Sequence, residues 1–282
     1  MKVLKLTPYG YCKGVYDAIN TVLSIKEKYP NTPIYCIGQI VHNQYINEKI
    51  AQCGIKIIEK DKLEALKEIN SGVVIFSAHG TSKEILNKAK DKGLIVIDTV
   101  CPFVKKGMDI IDSYLKENYE IIYIGKKNHP EAIASTSISN KIHLVETLED
   151  LKQLKINTDK IFLTNQTTIS VNDLKQFYEF AKEKYPNLIL SDEICSATRI
   201  RQENILNLKE VDGLIIVGDQ KSNNTKNLLK IANEKKLDAI LIENINQLEP
   251  LWLKNKETVA VTSGTSTPLE LVNEVIDYLK NI

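Results

Sequence analysis

Cys12, Cys101 and Cys195 stand 89 and 94 residues apart, and each lies between a short apolar run and a helical pattern. The clearest copy is residues 94–104, LIVIDTVCPFV. Residues 94–97 are uninterrupted apolar side chains, which suits a strand covered on both faces. Pro102 suits a first helical turn, where its missing N–H is no loss. Val104, Met108, Ile111 and Leu115 then recur on one helix face. Cys101 is therefore expected at the carboxyl end of a strand and the N-terminus of a helix, where the positive helix end favours a thiolate. In the same way Val3-Leu4-Lys5-Leu6 leads to Cys12 and a helix carrying Val15, Ile19, Val22 and Leu23. Leu188-Ile189-Leu190 leads to Cys195 and a helical run through Leu208. A unit repeated at near-constant spacing decides the architecture of the chain.

Between the cysteines, strand and helix patterns alternate. Strands are expected at 33–37, 55–58, 73–77 and 94–97, at 120–124, 142–145, 161–164 and 188–190, and at 214–217, 239–242 and 259–262. Helical stretches such as 83–92 and 171–184 lie between them, and such alternation implies parallel sheets with helical crossovers. The third repeat is one strand short, and the strand at 2–6 has no other unit to close. The expected fold is α/β: three similar small domains, each a four-stranded mainly parallel sheet with helices, in a pseudo-threefold arrangement around a centre. The domains are drawn at 7–99, 100–193 and 194–282, the last completed by 1–6. The competing fold is one large doubly wound sheet.

Composition narrows the function. The 282 residues carry a net charge of +1, which signals no general attraction to nucleic acid or to membrane surfaces. No apolar run approaches the ~20 residues of a membrane helix, and the sequence opens on a strand pattern without an apolar signal region. Five cysteines, an odd number without extracellular spacing, point to a reduced, cytoplasmic protein.

In open α/β sheets, ligands bind beyond the carboxyl ends of the strands, and the unusual residues fall there. One strand after each cysteine come QIVHN (39–43), KNHPE (127–131) and KSNN (221–224). His42, His129 and Asn224 lie 30, 28 and 29 residues beyond their cysteines. Two strands further on come SAHG (77–80), NQTT (165–168) and TSGTS (262–266), with His79, Thr167 and Ser266 at 67, 66 and 71. Each residue also has a plain structural role: Glu131 as a helix N-terminal charge, Ser222 and Asn224 as caps. Capping and ligand binding are compatible, since helix N-termini bind anions. His143 falls mid-strand, outside these loops. Cys36 and Cys53 read as small core side chains.

Three thiolates can hold zinc or an iron–sulfur cluster. The paired C-x₂₋₄-C spacing of structural zinc is missing. A [4Fe–4S] cluster normally takes four cysteines, and with three, one iron is left open to a substrate. The surrounding hydroxyl, amide and imidazole donors suit an oxyanion such as phosphate.

Taken together, YCKGV (11–15), GQIVHN (38–43), FSAHG (76–80), DTVCP (98–102), HPE (129–131), NQTTIS (165–170), EICSATRIRQ (193–202) and TSGTSTP (262–268) resemble the 4-hydroxy-3-methylbut-2-enyl diphosphate reductase family, of LytB type, from residue 3 to about 275. The resemblance implies a central [4Fe–4S] cluster on Cys12, Cys101 and Cys195. It implies a substrate diphosphate held by His42, His79, Ser222, Asn224 and Ser266, with Asn223, where a second serine is usual, at lower weight. His129 and Thr167 would lie near the substrate hydroxyl, and Glu131 would supply protons. The implied reaction is a two-electron reductive dehydroxylation giving isopentenyl and dimethylallyl diphosphates, with electrons from ferredoxin or flavodoxin. Lys126-Lys127-Asn128 and Thr99-Val100 depart from the family pattern without removing a proposed ligand. A quinolinate synthase-like dehydrating and condensing enzyme also brings three cysteines to one cluster, but would need carboxylate-binding loops here. A non-catalytic iron–sulfur sensor or carrier would need neither an acid nor phosphate ligands.

Overall fold

The computed structural model describes residues 1–282. In chain order the elements begin with β1 (Lys2–Lys5), α1 (Lys13–Lys28), β2 (Ile34–Ile37), α2 (Gln44–Gln52), β3 (Lys56–Ile58), α3 (Lys62–Glu68), β4 (Val73–Phe76), α4 (Lys83–Asp91) and β5 (Ile95–Asp98). Next come α5 (Pro102–Lys116), β6 (Glu120–Ile124), α6 (Pro130–Thr136), β7 (Ile142–Val145), α7 (Leu148–Gln153), β8 (Ile161–Asn165), α8 (Val171–Lys184) and β9 (Ile189–Leu190). The chain continues through α9 (Ser196–Leu206), β10 (Gly213–Val217), α10 (Asn223–Glu234), β11 (Ala239–Ile242), β12 (Thr258–Ser263) and α11 (Leu269–Lys280), with two short 3₁₀ turns before β12.

The strands form three parallel sheets of four, ordered β3-β2-β4-β5, β7-β6-β8-β9 and β11-β10-β12-β1. The single doubly wound sheet is thereby excluded. Within each repeat the order is second, first, third, fourth. In the last sheet β1 fills the fourth place, pairing with β12 from Lys2 opposite Thr258 to Lys5 opposite Val261. By compactness the chain divides into two units. One comprises Met1–Val15, His42–Ile46 and Cys195–Ile282 and contains the sheet with β1; the other comprises Tyr16–Val41 and Asn47–Ile194 and contains the other two sheets.

The inner strands are apolar on both faces, as covered parallel sheets require. Along β6, Ile121 and Tyr123 join one core cluster while Ile122 and Ile124 join another. Along β10, Ile215 and Val217 alternate in the same way with Leu214 and Ile216. Helix starts follow their caps: Ser82 accepts from the Ile85 N–H, Ser170 from Asp173, and Thr147 and Asp150 form a reciprocal capping box.

Three expectations need correction. β5 is not covered on both faces: it is the outer strand of its sheet, and Ile95 is 39% exposed. Leu23 faces outward, because the buried stripe of α1 runs through Ala18, Val22 and Ile25. Cys53 is exposed in the turn after α2, where the chain reverses at Gly54, whereas Cys36 is fully buried within β2.

Candidate functional site

The strand order places a switch point between the first and third strands of every repeat. There the connections depart to opposite sides and leave a crevice beyond the carboxyl ends. The loops after β2 and β4 carry His42 and His79. Those after β6 and β8 carry His129, Glu131 and Thr167, and those after β10 and β12 carry Ser222, Asn224 and Ser266. Ile124 lies opposite Asn165, and Val217 opposite Ser263, so within each of these two sheets the loop after the first strand leaves beside the loop after the third.

In the unit with β6 and β8, Glu131 is 4% exposed. Its Oε1 accepts from the Thr167 N–H at 2.7 Å and its Oε2 from the Thr167 hydroxyl at 2.9 Å. The Tyr123 hydroxyl donates to Oε1 at 3.4 Å. Burial pushes the Glu131 carboxyl up to about 7, against the opposing pull of these donors. It is thus a carboxyl group that can hold a proton near neutral pH. His129 caps α6, with Nδ1 accepting from the Glu131 N–H at 3.2 Å, which assigns the proton of the neutral ring to Nε2. The His79 ring meets the His129 ring edge-on, centroids 5.6 Å apart. Gly80 lets the His79 turn press onto α5: its φ is +91°, and a Cβ there would meet Val104 and Met108 at 3.2 Å. Lys62 secures the same turn, donating to the Gly80 carbonyl at 2.6 Å and the Thr81 hydroxyl at 2.8 Å.

In the unit with β10 and β12, Ser222 caps α10 through the Thr225 N–H. Asn223 opens that helix, half-buried. Asn224 is 3% exposed, and both atoms of its carboxamide lack a partner, as does the Thr225 hydroxyl. Gly264 makes room for Thr225: a Cβ there would fall 2.3 Å from its Oγ1. The Ser266 hydroxyl donates to the His42 carbonyl at 3.0 Å. Unpartnered buried donors and acceptors at a helix N-terminus are the chemistry of an oxyanion cradle.

Each of the three repeat cysteines is a half-buried thiol outside any disulfide, at a helix start. Cys101 and Cys195 occupy the N-cap positions of α5 and α9, and Cys12 directly precedes α1. The Cys12 N–H donates to the Thr265 carbonyl, and the Cys101 N–H to the Ala78 carbonyl. The Cys195 thiol donates to Thr198 Oγ1 at 3.1 Å. No three His, Cys, Asp or Glu side chains are grouped to hold a single ion. A four-iron cluster takes one thiolate per iron, and a thiol at a helix start, where the positive helix end favours the thiolate, suits such a ligand. Cys36 does not: burial pushes its thiol up to about 12, away from the thiolate a metal needs.

Other residues of these loops escaped the sequence reading. Tyr123 lies mid-strand, and nothing in an apolar β pattern marks its hydroxyl as a partner of Glu131. Lys62 lies in α3, remote in sequence from the turn it secures. Thr198, Arg201 and Gln202 stand inside EICSATRIRQ, and nothing in that stretch of sequence marks their complete burial.

An electron carrier has no use for a buried carboxyl that retains its proton, so these loops define a catalytic class of α/β protein built by internal repetition. Residues 3–280 match the family described as LytB protein, and the chain belongs to that family. It is 42% identical over 291 residues to the 4-hydroxy-3-methylbut-2-enyl diphosphate reductase of Malacoplasma penetrans, covering 99% of this chain and 97% of that one. It is 43% identical over 286 residues to the enzyme of the same name from Geobacillus sp. (strain WCH70), covering 99% and 90%. The solved structure of E-1-hydroxy-2-methyl-but-2-enyl-4-diphosphate reductase from Plasmodium falciparum is similar with a TM-score of 0.92 at 34% identity, over 99% of this chain and 88% of that one. A second solved reductase, described as the terminal enzyme of the non-mevalonate pathway, is similar with a TM-score of 0.69 at 28% identity, over the whole of both chains.

Proposed function

We propose that this chain reduces 4-hydroxy-3-methylbut-2-enyl diphosphate to isopentenyl and dimethylallyl diphosphates. Two electrons and two protons convert the allylic C–OH into C–H and water. The observation that carries this reading is Glu131: a buried carboxyl, raised to about 7, fixed by Thr167 at a sheet switch point beside His129.

The proton held on Glu131 goes to the departing hydroxyl, which leaves as water. Thr167 orients both carboxyl oxygens, and Nε2–H of His129 is a donor for the substrate hydroxyl. His42, His79, Ser222, Asn224 and Ser266 bind the diphosphate, with Asn223 beside them. That remote binding positions the allylic end for reaction. Cys12, Cys101 and Cys195 would hold a [4Fe–4S] cluster, which supplies electrons and a Lewis-acidic iron. Ferredoxin or flavodoxin is the donor class this chemistry calls for, in the cytoplasm, where thiols stay reduced. No helix is long and apolar enough to cross a membrane. The repeats 7–99, 100–193 and 194–282, the last with strand 1–6, would each contribute one cysteine to the cluster.

The test is anaerobic. The reconstituted protein, reduced with dithionite and a viologen mediator, should convert the allylic diphosphate to both products and show a perturbed cluster EPR signal when substrate is added. A fully loaded protein that leaves the substrate unchanged would overturn the reading.

A further inference from the structure

Arg201 has the largest side chain among those fully buried, at 1% exposure. It lies in α9, and its two terminal nitrogens go to different places, the first turn of its own helix and the loop before Cys12. Nη1 donates to the Ala197 carbonyl at 2.9 Å, and Nη2 to the Gly10 carbonyl at 2.8 Å. Ala197 is two residues from Cys195, and Gly10 two residues from Cys12. Gly10 is in turn anchored by its N–H to Ser263 Oγ at 2.7 Å. The third donor, Nε–H, is buried without a partner. No carboxylate pairs with the guanidinium; burial disfavours its charge, and only the sulfurs of Cys12 and Cys195, when ionised, would offset that.

An uncompensated buried cation is strongly unfavourable, and so is a buried donor without an acceptor. Both costs disappear if negative sulfur is present beside it. We propose that Arg201 is a positioning residue for the cluster: its fork ties the Cys12 loop to the Cys195 helix, and its charge balances the sulfur-held iron. The proposal rests on the reading that these cysteines hold a cluster. A cluster gains negative charge when it takes an electron, so a fixed cation nearby favours the reduced state and raises the potential. A lysine would keep the charge but not the fork, because one ammonium is a point donor whereas the guanidinium is planar and rigid.

The experiment compares wild type, Arg201→Gln and Arg201→Lys as anaerobic holoproteins, by redox titration of the cluster EPR signal and by the rate of iron loss to a chelator. Arg201→Gln should lower the one-electron equilibrium about tenfold or more, a shift of about 59 mV to lower potential. Arg201→Lys should stay close to the wild-type potential. Both should lose iron several-fold faster than wild type. A role confined to stability would speed iron loss without moving the potential of the clusters that remain. Wild-type potential in Arg201→Gln, or an equal shift in both variants, would overturn the charge assignment. If Arg201→Gln does not fold, Arg201→Lys decides: wild-type iron retention would overturn the tie, and a lowered potential would overturn the charge role. A wild type that binds no cluster sinks the functional reading instead, whereas a competent wild type with an indifferent Arg201→Gln sinks only this inference.

Discussion

Thr167 donates both its backbone N–H and its hydroxyl to the two carboxyl oxygens of Glu131, at 2.7 and 2.9 Å. The carboxyl group is therefore fixed in the plane of two donors that come from the neighbouring strand's loop. Replacing it with an amide separates chemistry from architecture. Glu131→Gln retains size and polarity but cannot deliver a proton. Single-turnover reduction should slow at least ~10²-fold, with substrate affinity and cluster unchanged. Near wild-type turnover would remove Glu131 as the proton donor.

The same residue carries a stability signature. The folded chain keeps the Glu131 proton up to about pH 7, while an unfolded chain releases it near pH ~4.3. Below that value both states are protonated and burial costs nothing. As pH rises towards 7 only the unfolded state ionises, so stability falls, by about 4 kcal/mol in all. Thermal unfolding of Glu131→Gln should match wild type near pH 4 and exceed it at pH 8. Parallel curves at all pH values would contradict the raised carboxyl.

The Thr167 hydroxyl favours the charged carboxylate, so removing it raises the proton affinity of Glu131 further. In Thr167→Val, the decline in rate as Glu131 loses its proton should move to higher pH. A pH–rate profile superimposable on wild type would show that the pair does not govern proton delivery.

Asn224 should answer substitution with opposite signs in two assays. Its buried carboxamide has no partner, and removing such a group relieves about 1–3 kcal/mol. Asn224→Leu should melt later than wild type in the absence of ligand, yet lose at least ~10-fold in affinity for the allylic diphosphate. His42→Asn and His79→Asn should weaken the same binding by about 10- to 150-fold without this gain. Unchanged affinity in all three variants would move the diphosphate elsewhere.

Among the cysteines, Cys12→Ser, Cys101→Ser and Cys195→Ser should each lose iron and the brown chromophore. Cys36→Ser and Cys53→Ser should keep both, because one thiol is buried with its proton and the other stands in an exposed turn. Bleaching by Cys36→Ser would break the link between repeat position and iron.

The sheets were legible because doubly covered strands write themselves as apolar runs, and the repeat made each reading support the next. β6, β7 and β11 begin and end at the expected residues. Edge position was not legible: 94–97 is as apolar as an inner strand, and only the sheet order reveals that Ile95 faces outward. Cys53 misled for a related reason, since a cysteine beside a turn glycine looks the same whether the turn is covered or bare. The loop residues could be named from spacing, but not their partners. That Thr167 faces Glu131 follows from strand order, whereas the Tyr123 hydroxyl and the two-ended reach of Arg201 depend on side-chain packing that no periodicity records.

The pairing of β1 with β12 also sets an order of assembly. The sheets β3-β2-β4-β5 and β7-β6-β8-β9 join strands close in sequence and can close while synthesis continues. The remaining sheet cannot, because Lys2–Lys5 must wait for Thr258–Ser263. The Cys12 loop waits with it: its hydrogen bonds run to Ser263 and Thr265. One thiol of the three thus reaches its place only after the ribosome has made residue 265, and whatever that thiol binds waits for the strand that brings Ser263 and Thr265 to its loop.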